Sequence, residues 1–95
     1  MGKQENNIIK EIEEFLLDIP TDYVFSTSWL KNELSKKYKR SRGSYIPSDY
    51  CYNRTNKGIN YDKQPHYFLY LERGKYQYKG KNYVYSGNIE KKPRY

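Results

Sequence analysis

The chain has 95 residues, which is enough for one compact domain with a small core. Aromatic residues make up 18% of it and include 13 tyrosines, so the composition argues against disorder and predicts a core of tyrosine rings with hydroxyls at its margin. One cysteine excludes an intrachain disulfide and a thiolate-rich metal site, and the net charge of +7 favours a polyanionic partner.

Charge is distributed unevenly along the sequence. Residues 1–22 carry two lysines against six carboxylates, whereas the remainder carries sixteen Lys or Arg against five Asp or Glu. We interpret this as an acidic first helix that points away from a polyanion approached by the rest of the chain. Nucleic acid is the favoured partner, DNA ahead of RNA, with an acidic protein partner or an anionic membrane surface as weaker alternatives. A high positive charge selected for solubility alone is the competing explanation, and we favour it less than nucleic-acid binding.

The sequence shows no apolar signal segment and no apolar run long enough to span a bilayer. We therefore expect a cytoplasmic protein with no membrane partner, no cofactor and no metal. The oligomeric state stays open, although no apolar stripe is left over to mediate self-association.

The first predicted element is a helix whose apolar residues repeat at helical spacing. Its stripe consists of Ile8, Ile9, Ile12, Phe15, Leu16 and Ile19. We expect Asn6 or Asn7 as the N-cap, and an end near Asp18 because Pro20 follows.

A second helix is predicted after a short apolar connector, Tyr23-Val24-Phe25, with Ser26-Thr27-Ser28 as cap candidates. Its buried stripe would contain Trp29, Leu30, Leu34 and Tyr38. Lysines 31, 36, 37 and 39 lie off this stripe or at the C-terminal end, where cations suit the helix dipole. The KRSRG sequence that follows predicts a basic loop.

A short strand at Ser44-Tyr45-Ile46 and a short third helix from about Ser48 to Asn56 are expected next. Pro47 fixes φ at the start of this helix, and Ser48 or Asp49 would accept its free N–H groups. Gly58 is the expected stop signal.

From His66 onward the pattern predicts strands. Tyr67 to Leu71 is a nearly continuous apolar run that breaks at Glu72-Arg73-Gly74, and Lys75 to Lys79 then alternates strictly. Gly80-Lys81-Asn82 reads as a turn before Tyr83-Val84-Tyr85. The sequence leaves open a hairpin with a long tip or a three-stranded meander, and it predicts frayed ends at residues 1–5 and 88–95.

The assembled order is helix, helix, short strand, helix, and hairpin or meander, which predicts one α+β domain over residues 1–95 with winged-helix-like architecture. Its motif consists of Ser44, Pro47, Ser48, Asp49, Tyr50 and Asn53, followed by the Tyr-rich hairpin that ends at Gly87. From about Thr27 to Gly87 the chain resembles a small winged-helix (winged helix-turn-helix) domain of bacteria and phages, sometimes attached to HNH-type restriction endonucleases. The resemblance implies DNA binding through the third helix, with the hairpin alongside, in a module that works with a nuclease, defence or phage system.

The residues themselves also favour nucleic-acid binding. A helix N-terminus at Ser48 would offer N–H groups to a phosphate, while Asn53 and Arg54 carry the side chains that pair with adenine and guanine edges. The candidate nucleic-acid-binding residues are Lys39, Arg40, Arg42, Ser48, Asn53, Arg54, Asn56, Lys57, Arg73, Lys75, Lys79 and Lys81. Simpler roles exist as helix caps, helix-ending residues and protection of a sheet edge, but the coincidence of all three groups favours binding.

Catalysis has little support, and we predict no catalytic residue. The single histidine, His66, cannot assemble the usual zinc ligand set with one cysteine, and beside Pro65 it is expected to be structural or exposed. One alternative function is a metal-free mRNA interferase-type toxin that uses Tyr, Lys and Arg. Another is a small phage-type inhibitor or adaptor that binds a protein machine or its RNA through a tyrosine-rich surface.

Overall fold

The computed structural model of the chain describes residues 3–56 and 58–92, and its first element is a helix (α1, Lys3–Leu16). The predicted apolar stripe is confirmed, because Ile12 and Leu16 are buried and its other members pack partly buried against the core. The expected N-cap is wrong, because Asn6 and Asn7 lie inside α1. Of the start expected to be frayed, residues 3–5 belong to α1, and residues 1 and 2 lie outside the described residues. The helix also ends before Asp18, in a turn closed by the Ile19 N–H bond to the Leu16 carbonyl (3.1 Å).

The second helix (α2, Thr27–Tyr38) begins and ends at capped residues. The Ser26 hydroxyl accepts the Trp29 N–H at 3.0 Å, which confirms this serine among the cap candidates. Lys39 closes the helix in the left-handed conformation (φ 58°), and its N–H bonds to the Ser35 carbonyl. Leu30 and Leu34 are buried on the predicted stripe.

A three-stranded antiparallel sheet lies against these helices. Its strands are β1 (Val24–Ser26), β3 (Phe68–Glu72) and β4 (Lys75–Tyr78), in the order β1-β4-β3. The connector expected at residues 23–25 is therefore largely a strand, with Phe25 opposite Tyr76. The predicted hairpin is confirmed as β3 and β4, joined by a tight turn at Arg73 and Gly74, where Gly74 has φ 77°.

The meander alternative is wrong, because Tyr83-Val84-Tyr85 forms no strand and Val84 is 88% exposed. The third strand of the sheet comes instead from β1. The fold class is α+β, as predicted.

The expected third helix over residues 48–56 is wrong beyond its first turn. A single 3₁₀ turn spans Pro47–Tyr50, and the backbone is extended at Cys51. The reason is hydrogen bonding to the hairpin: the Tyr67 N–H bonds to the Tyr50 carbonyl, and the Tyr52 N–H bonds to the Phe68 carbonyl, both at 2.8 Å. Tyr, Cys, Asn and Thr are also weak helix formers, so these contacts override the local start signal.

A second, two-stranded sheet follows from this extended segment. It pairs β2 (Arg54–Asn56) in parallel with β5 (Glu90–Lys92), and the Glu90 N–H bonds to the Asn53 carbonyl at 2.9 Å. Of the tail expected to be frayed, residues 90–92 form β5, and residues 93–95 lie outside the described residues. The predicted strand at 44–46 is also wrong, because a 3₁₀ turn spans Arg42–Ser44 and Tyr45 inserts its ring into the core.

Aromatic rings dominate the core. The Phe25 ring contacts Phe68 edge to face at 5.2 Å and stacks on Tyr76 at 6.1 Å, while Tyr45 and Tyr67 are almost fully buried. The hydroxyls of Tyr45 and Tyr67 lie at the core margin, where they donate to carboxylates of α1. This arrangement confirms the predicted tyrosine core with polar groups at its edge.

Candidate nucleic-acid interface

Asn53, a predicted base-reading residue, lies beside the outer edge of β3. Its side-chain amide donates to the Tyr70 carbonyl at 2.9 Å, and its oxygen accepts the Tyr70 N–H at 2.8 Å. The Asn53 side chain thereby bonds to backbone groups of β3 that a neighbouring strand would otherwise bond to, and it leaves neither of these Tyr70 groups without a partner. Contact with an adenine would require this pair of bonds to open.

Arg54 is similarly engaged within the molecule. Its guanidinium lies 3.8 Å from the centre of the Tyr70 ring, and Nη1 lies 3.2 Å from the Glu90 carboxylate. Only 14% of the Arg54 side chain is exposed. Its role in reading guanine stays a prediction. For that role the Arg54 guanidinium would have to leave both the Tyr70 ring and the Glu90 carboxylate.

The predicted phosphate contact at Ser48 lies in a polar cluster that is largely closed. The Asn56 amide donates to the Ser48 hydroxyl and to the Asp49 carboxylate, each at 2.7 Å, and Asn56 itself is buried. Because only a 3₁₀ turn begins at Pro47, the row of free N–H groups expected at a helix start does not form. Lys57 lies outside the described residues.

Most of the predicted hairpin cations have carboxylate partners. Lys75 pairs with Glu72 at 3.1 Å, Lys81 pairs with Glu13 at 3.3 Å, and Lys79 pairs with Asp22 while lying over the Tyr83 ring. A phosphate that binds at these lysines therefore has to displace a carboxylate first.

Arg73, at the hairpin turn, is the exception among these cations. It is exposed and has no ion pair within residues 3–56 and 58–92. The neighbouring Gly74 carbonyl accepts the Thr27 N–H at 3.0 Å, which places this turn beside the start of α2.

Three carboxylates of α1, those of Glu11, Glu13 and Glu14, bond to other parts of the domain, so these residues do not point away from the basic remainder of the chain. Glu11 accepts bonds from Arg40 and Tyr45, Glu13 from Tyr67, and Glu14 from Tyr38. The hydrogen bond from Arg40 lowers the pKa of Glu11, and the bond from Tyr67 lowers that of Glu13, in both cases against the opposing effect of burial. The acidic helix thus neutralises part of the basic remainder, including Arg40 and Lys81.

A basic segment remains at the C-terminal end of α2 and the turn after it. We define this basic segment as Lys36, Lys37, Lys39 and Arg42, which are all exposed and have no ion pair within the described part of the chain. The left-handed cap at Lys39 turns the chain at this point. Lys39 and Arg42 were predicted site residues, whereas Lys36 and Lys37 were missed. Their position off the apolar stripe of α2 already predicted that their side chains are exposed.

His66 and Cys51 occupy structural positions. The His66 ring stacks on Tyr61 at 4.1 Å, and burial lowers its pKa; Cys51 is fully buried, and burial raises the pKa of its thiol. Among the described residues, no group of three or more His, Cys, Asp or Glu side chains is arranged to hold a metal ion. No helix in the same residues has the length and apolar character needed to cross a membrane.

Comparison with known proteins yields relatives but no structural counterpart, because no solved structure matches the chain. The chain is 40% identical over 87 residues to a Bacillus subtilis (strain 168) protein described as "Uncharacterized protein YnaC". The alignment covers 92% of this chain and 32% of that protein, so the chain spans about a third of the relative's length. A family model described as a domain of unknown function (DUF7225) matches residues 7–95, and the chain therefore belongs to this family.

Proposed function

We propose that this chain is a nucleic-acid-binding module, with duplex DNA as the favoured ligand and the basic segment as its main phosphate-contacting surface. One observation carries the proposal: the basic segment groups four exposed cations that have no carboxylate partner in the described residues. Unpaired cations attract a polyanion most strongly, because phosphate binding there displaces no existing ion pair and releases counterions from the nucleic acid.

The surroundings of the basic segment support this placement. Arg40, which lies between Lys39 and Arg42, is held by Glu11, so the loop that carries the segment is anchored to α1. A fixed loop presents its cations without a further ordering cost on binding. By contrast, Lys79 and Lys81 on the hairpin side would have to exchange carboxylates for phosphates.

The proposal keeps a winged-helix-like architecture, with one change. The strand between the two α-helices joins the hairpin at β4, and this order of helices and strands suits a helix-turn-helix variant with a short wing. Because the third helix is replaced by a 3₁₀ turn and an extended segment, we place the main backbone contact at the end of α2, with Arg73 at the wing. Cooperation with a nuclease, defence or phage system belongs to the same proposal.

A binding titration tests this function. Fluorescently labelled duplex DNA, single-stranded DNA and RNA of equal length are titrated with the protein at low and at high salt. We expect all three to bind at low salt, duplex DNA most tightly, with a steep loss of affinity as salt rises. No binding at low salt, or an affinity that does not depend on salt, would contradict the proposal.

A further inference from the structure

The three-stranded sheet has one covered edge and one open edge. On the β3 side, residues 51–53 run along the strand: Cys51 forms a parallel bridge with Phe68, and Asn53 bonds to Tyr70. On the β1 side, the described part of the chain places no further strand. An open edge is a template for a strand from another chain, so β1 is the place in this sheet where one can add.

Backbone groups of Val24 and Ser26 point outward from the β1 edge. The Thr27 N–H bonds to the Gly74 carbonyl at 3.0 Å, and Phe25 lies opposite its partner on β4, so residues 25 and 27 direct their backbone groups toward β4. In an antiparallel pair the alternate residues direct theirs away. The Val24 N–H and carbonyl and the Ser26 N–H therefore have no partner in residues 3–56 and 58–92.

Aromatic side chains continue the core as far as this edge. The centre of the Trp29 ring lies 5.8 Å from that of Phe15 and 5.5 Å from that of Tyr23. Tyr23 is 40% exposed, and neither its hydroxyl nor the Trp29 indole N–H makes a hydrogen bond within the described residues. Tyrosine and tryptophan with an apolar face and a free polar tip are frequent anchors of protein partners.

Carboxylates flank these rings. Glu33 lies one turn after Trp29 on α2, and Asp18 lies in the turn after α1, three residues beyond Phe15. Neither carboxylate has an ion pair or hydrogen bond in the part of the chain that the structure describes. The exposed Arg73 lies at the hairpin turn, past the last residue of β1. The charge beside the rings is therefore negative, which suits a cationic partner.

We propose that the β1 edge accepts an extended segment of another protein as a fourth strand, and that this segment carries aliphatic side chains between lysines or arginines. The outward groups of β1 would bond to its main chain, the rings of Tyr23 and Trp29 would contact its aliphatic side chains, and the flanking carboxylates would pair with its cations. A second copy of this chain fits less well, because a two-fold axis at β1 would bring the same carboxylates together. The inference does not rest on the proposed function, since β1 and the basic segment lie at opposite ends of α2.

The test uses two N-acetylated and C-amidated peptides, KTLTLTK and ETLTLTE, which alternate as a strand does and differ only in the charge of their ends. Each is titrated into ¹⁵N-labelled protein, and chemical shifts and amide exchange are followed by NMR. We expect the lysine peptide to shift the signals of Val24, Ser26 and the Trp29 indole and to slow exchange of the Val24 N–H. It should bind at least about threefold more tightly than the glutamate peptide, as for two solvated charge pairs.

This order is informative because the chain as a whole carries a net charge of +7, so unspecific attraction would favour the glutamate peptide. No binding of the lysine peptide, tighter binding of the glutamate peptide, or unchanged exchange at Val24 would overturn the proposal. Val24 exchange that slows with protein concentration, without any peptide, would assign the edge to a second copy and also overturn it.

Matched variants locate the contact. Val24→Pro removes the outward N–H and no bond to β4, so it should abolish binding of the lysine peptide, whereas Val24→Thr keeps that N–H and should bind like the parent. Glu33→Lys leaves the strand intact and should remove the preference for the lysine peptide, which keeps the inference falsifiable if Val24→Pro fails to fold. Binding that survives in folded Val24→Pro, or a preference unchanged in Glu33→Lys, would overturn the assignment to the β1 edge.

Discussion

The Nε atom of Arg40 lies 2.8 Å and 3.0 Å from the two carboxylate oxygens of Glu11. The Tyr45 hydroxyl donates to the same carboxylate at 2.7 Å. These bonds fasten the loop after α2 to α1 and hold Lys39 and Arg42 on either side of a neutralised arginine. Glu11 therefore influences both the stability of the fold and the charge of the proposed binding surface.

Glu11→Gln should have two opposed effects. The melting temperature should fall, because Arg40 loses its charged partner. The affinity for duplex DNA should rise and its salt dependence should steepen by up to about one unit of slope, because Arg40 then adds an unpaired charge beside Lys39 and Arg42. Thermal unfolding and fluorescence anisotropy on the same variant measure the two effects.

The matched control is Glu33→Gln, since the Glu33 side chain makes no hydrogen bond or ion pair within the described residues. This variant removes the same charge and should change neither property appreciably. If folded Glu11→Gln bound DNA no better than Glu33→Gln, the binding surface would not lie at the basic segment.

The lowered pKa values of Glu11 and Glu13 predict acid sensitivity. A carboxyl whose pKa is lower in the folded than in the unfolded state stabilises the fold fully above its ordinary pKa, here 4.5, and this contribution is lost as the pH falls through the folded value. The melting temperature should therefore decline at pH values below 4.5. In Glu11→Gln/Glu13→Gln the decline should be shallower, and an identical decline in parent and variant would assign acid sensitivity to other groups.

Asn53 has a structural role at the edge of β3 that can be tested by substitution. Asn53→Ala leaves the Tyr70 N–H and carbonyl without their partner at the edge of β3, so the free energy of unfolding should fall by about 1 to 3 kcal/mol. Urea unfolding measures this change, with Asn88→Ala as a control at an exposed asparagine whose side chain makes no bond in the described residues. Full stability of Asn53→Ala would show that the edge contact contributes nothing.

Local patterns in the sequence predicted both α-helices and the hairpin. Apolar residues at helical spacing mark α1 and α2, and Ser26 supplies a cap that depends only on its neighbours. Strict alternation between Lys75 and Tyr78 marks β4. These elements were predictable because the signals and their partners lie close together in the chain.

The other elements depend on partners that are distant in sequence. Strand β1 has three residues and pairs with β4, and β2 pairs with β5, so neither pattern is long enough to show a period. The start signal at Pro47 produced one 3₁₀ turn, because Tyr50 and Tyr52 bond to the hairpin. Likewise, the chemistry of Asn53 and Arg54 suggested base reading, because their contacts with Tyr70 and Glu90 join residues that are distant in the chain and leave no local pattern.

The salt dependence of DNA binding tests the central claim most directly. Labelled duplex DNA is titrated with the parent protein, with Lys39→Gln/Arg42→Gln, and with Lys10→Gln/Lys31→Gln, a control that removes equal charge from lysines with no ion pair in the described residues. For the parent we expect log K against log salt to have a slope of roughly −4, from four or five phosphate contacts. The slope should become shallower by about 2 in Lys39→Gln/Arg42→Gln and stay near the parent value in the control. A flat response in the parent, or equal slopes in all three proteins, would contradict nucleic-acid binding through the basic segment.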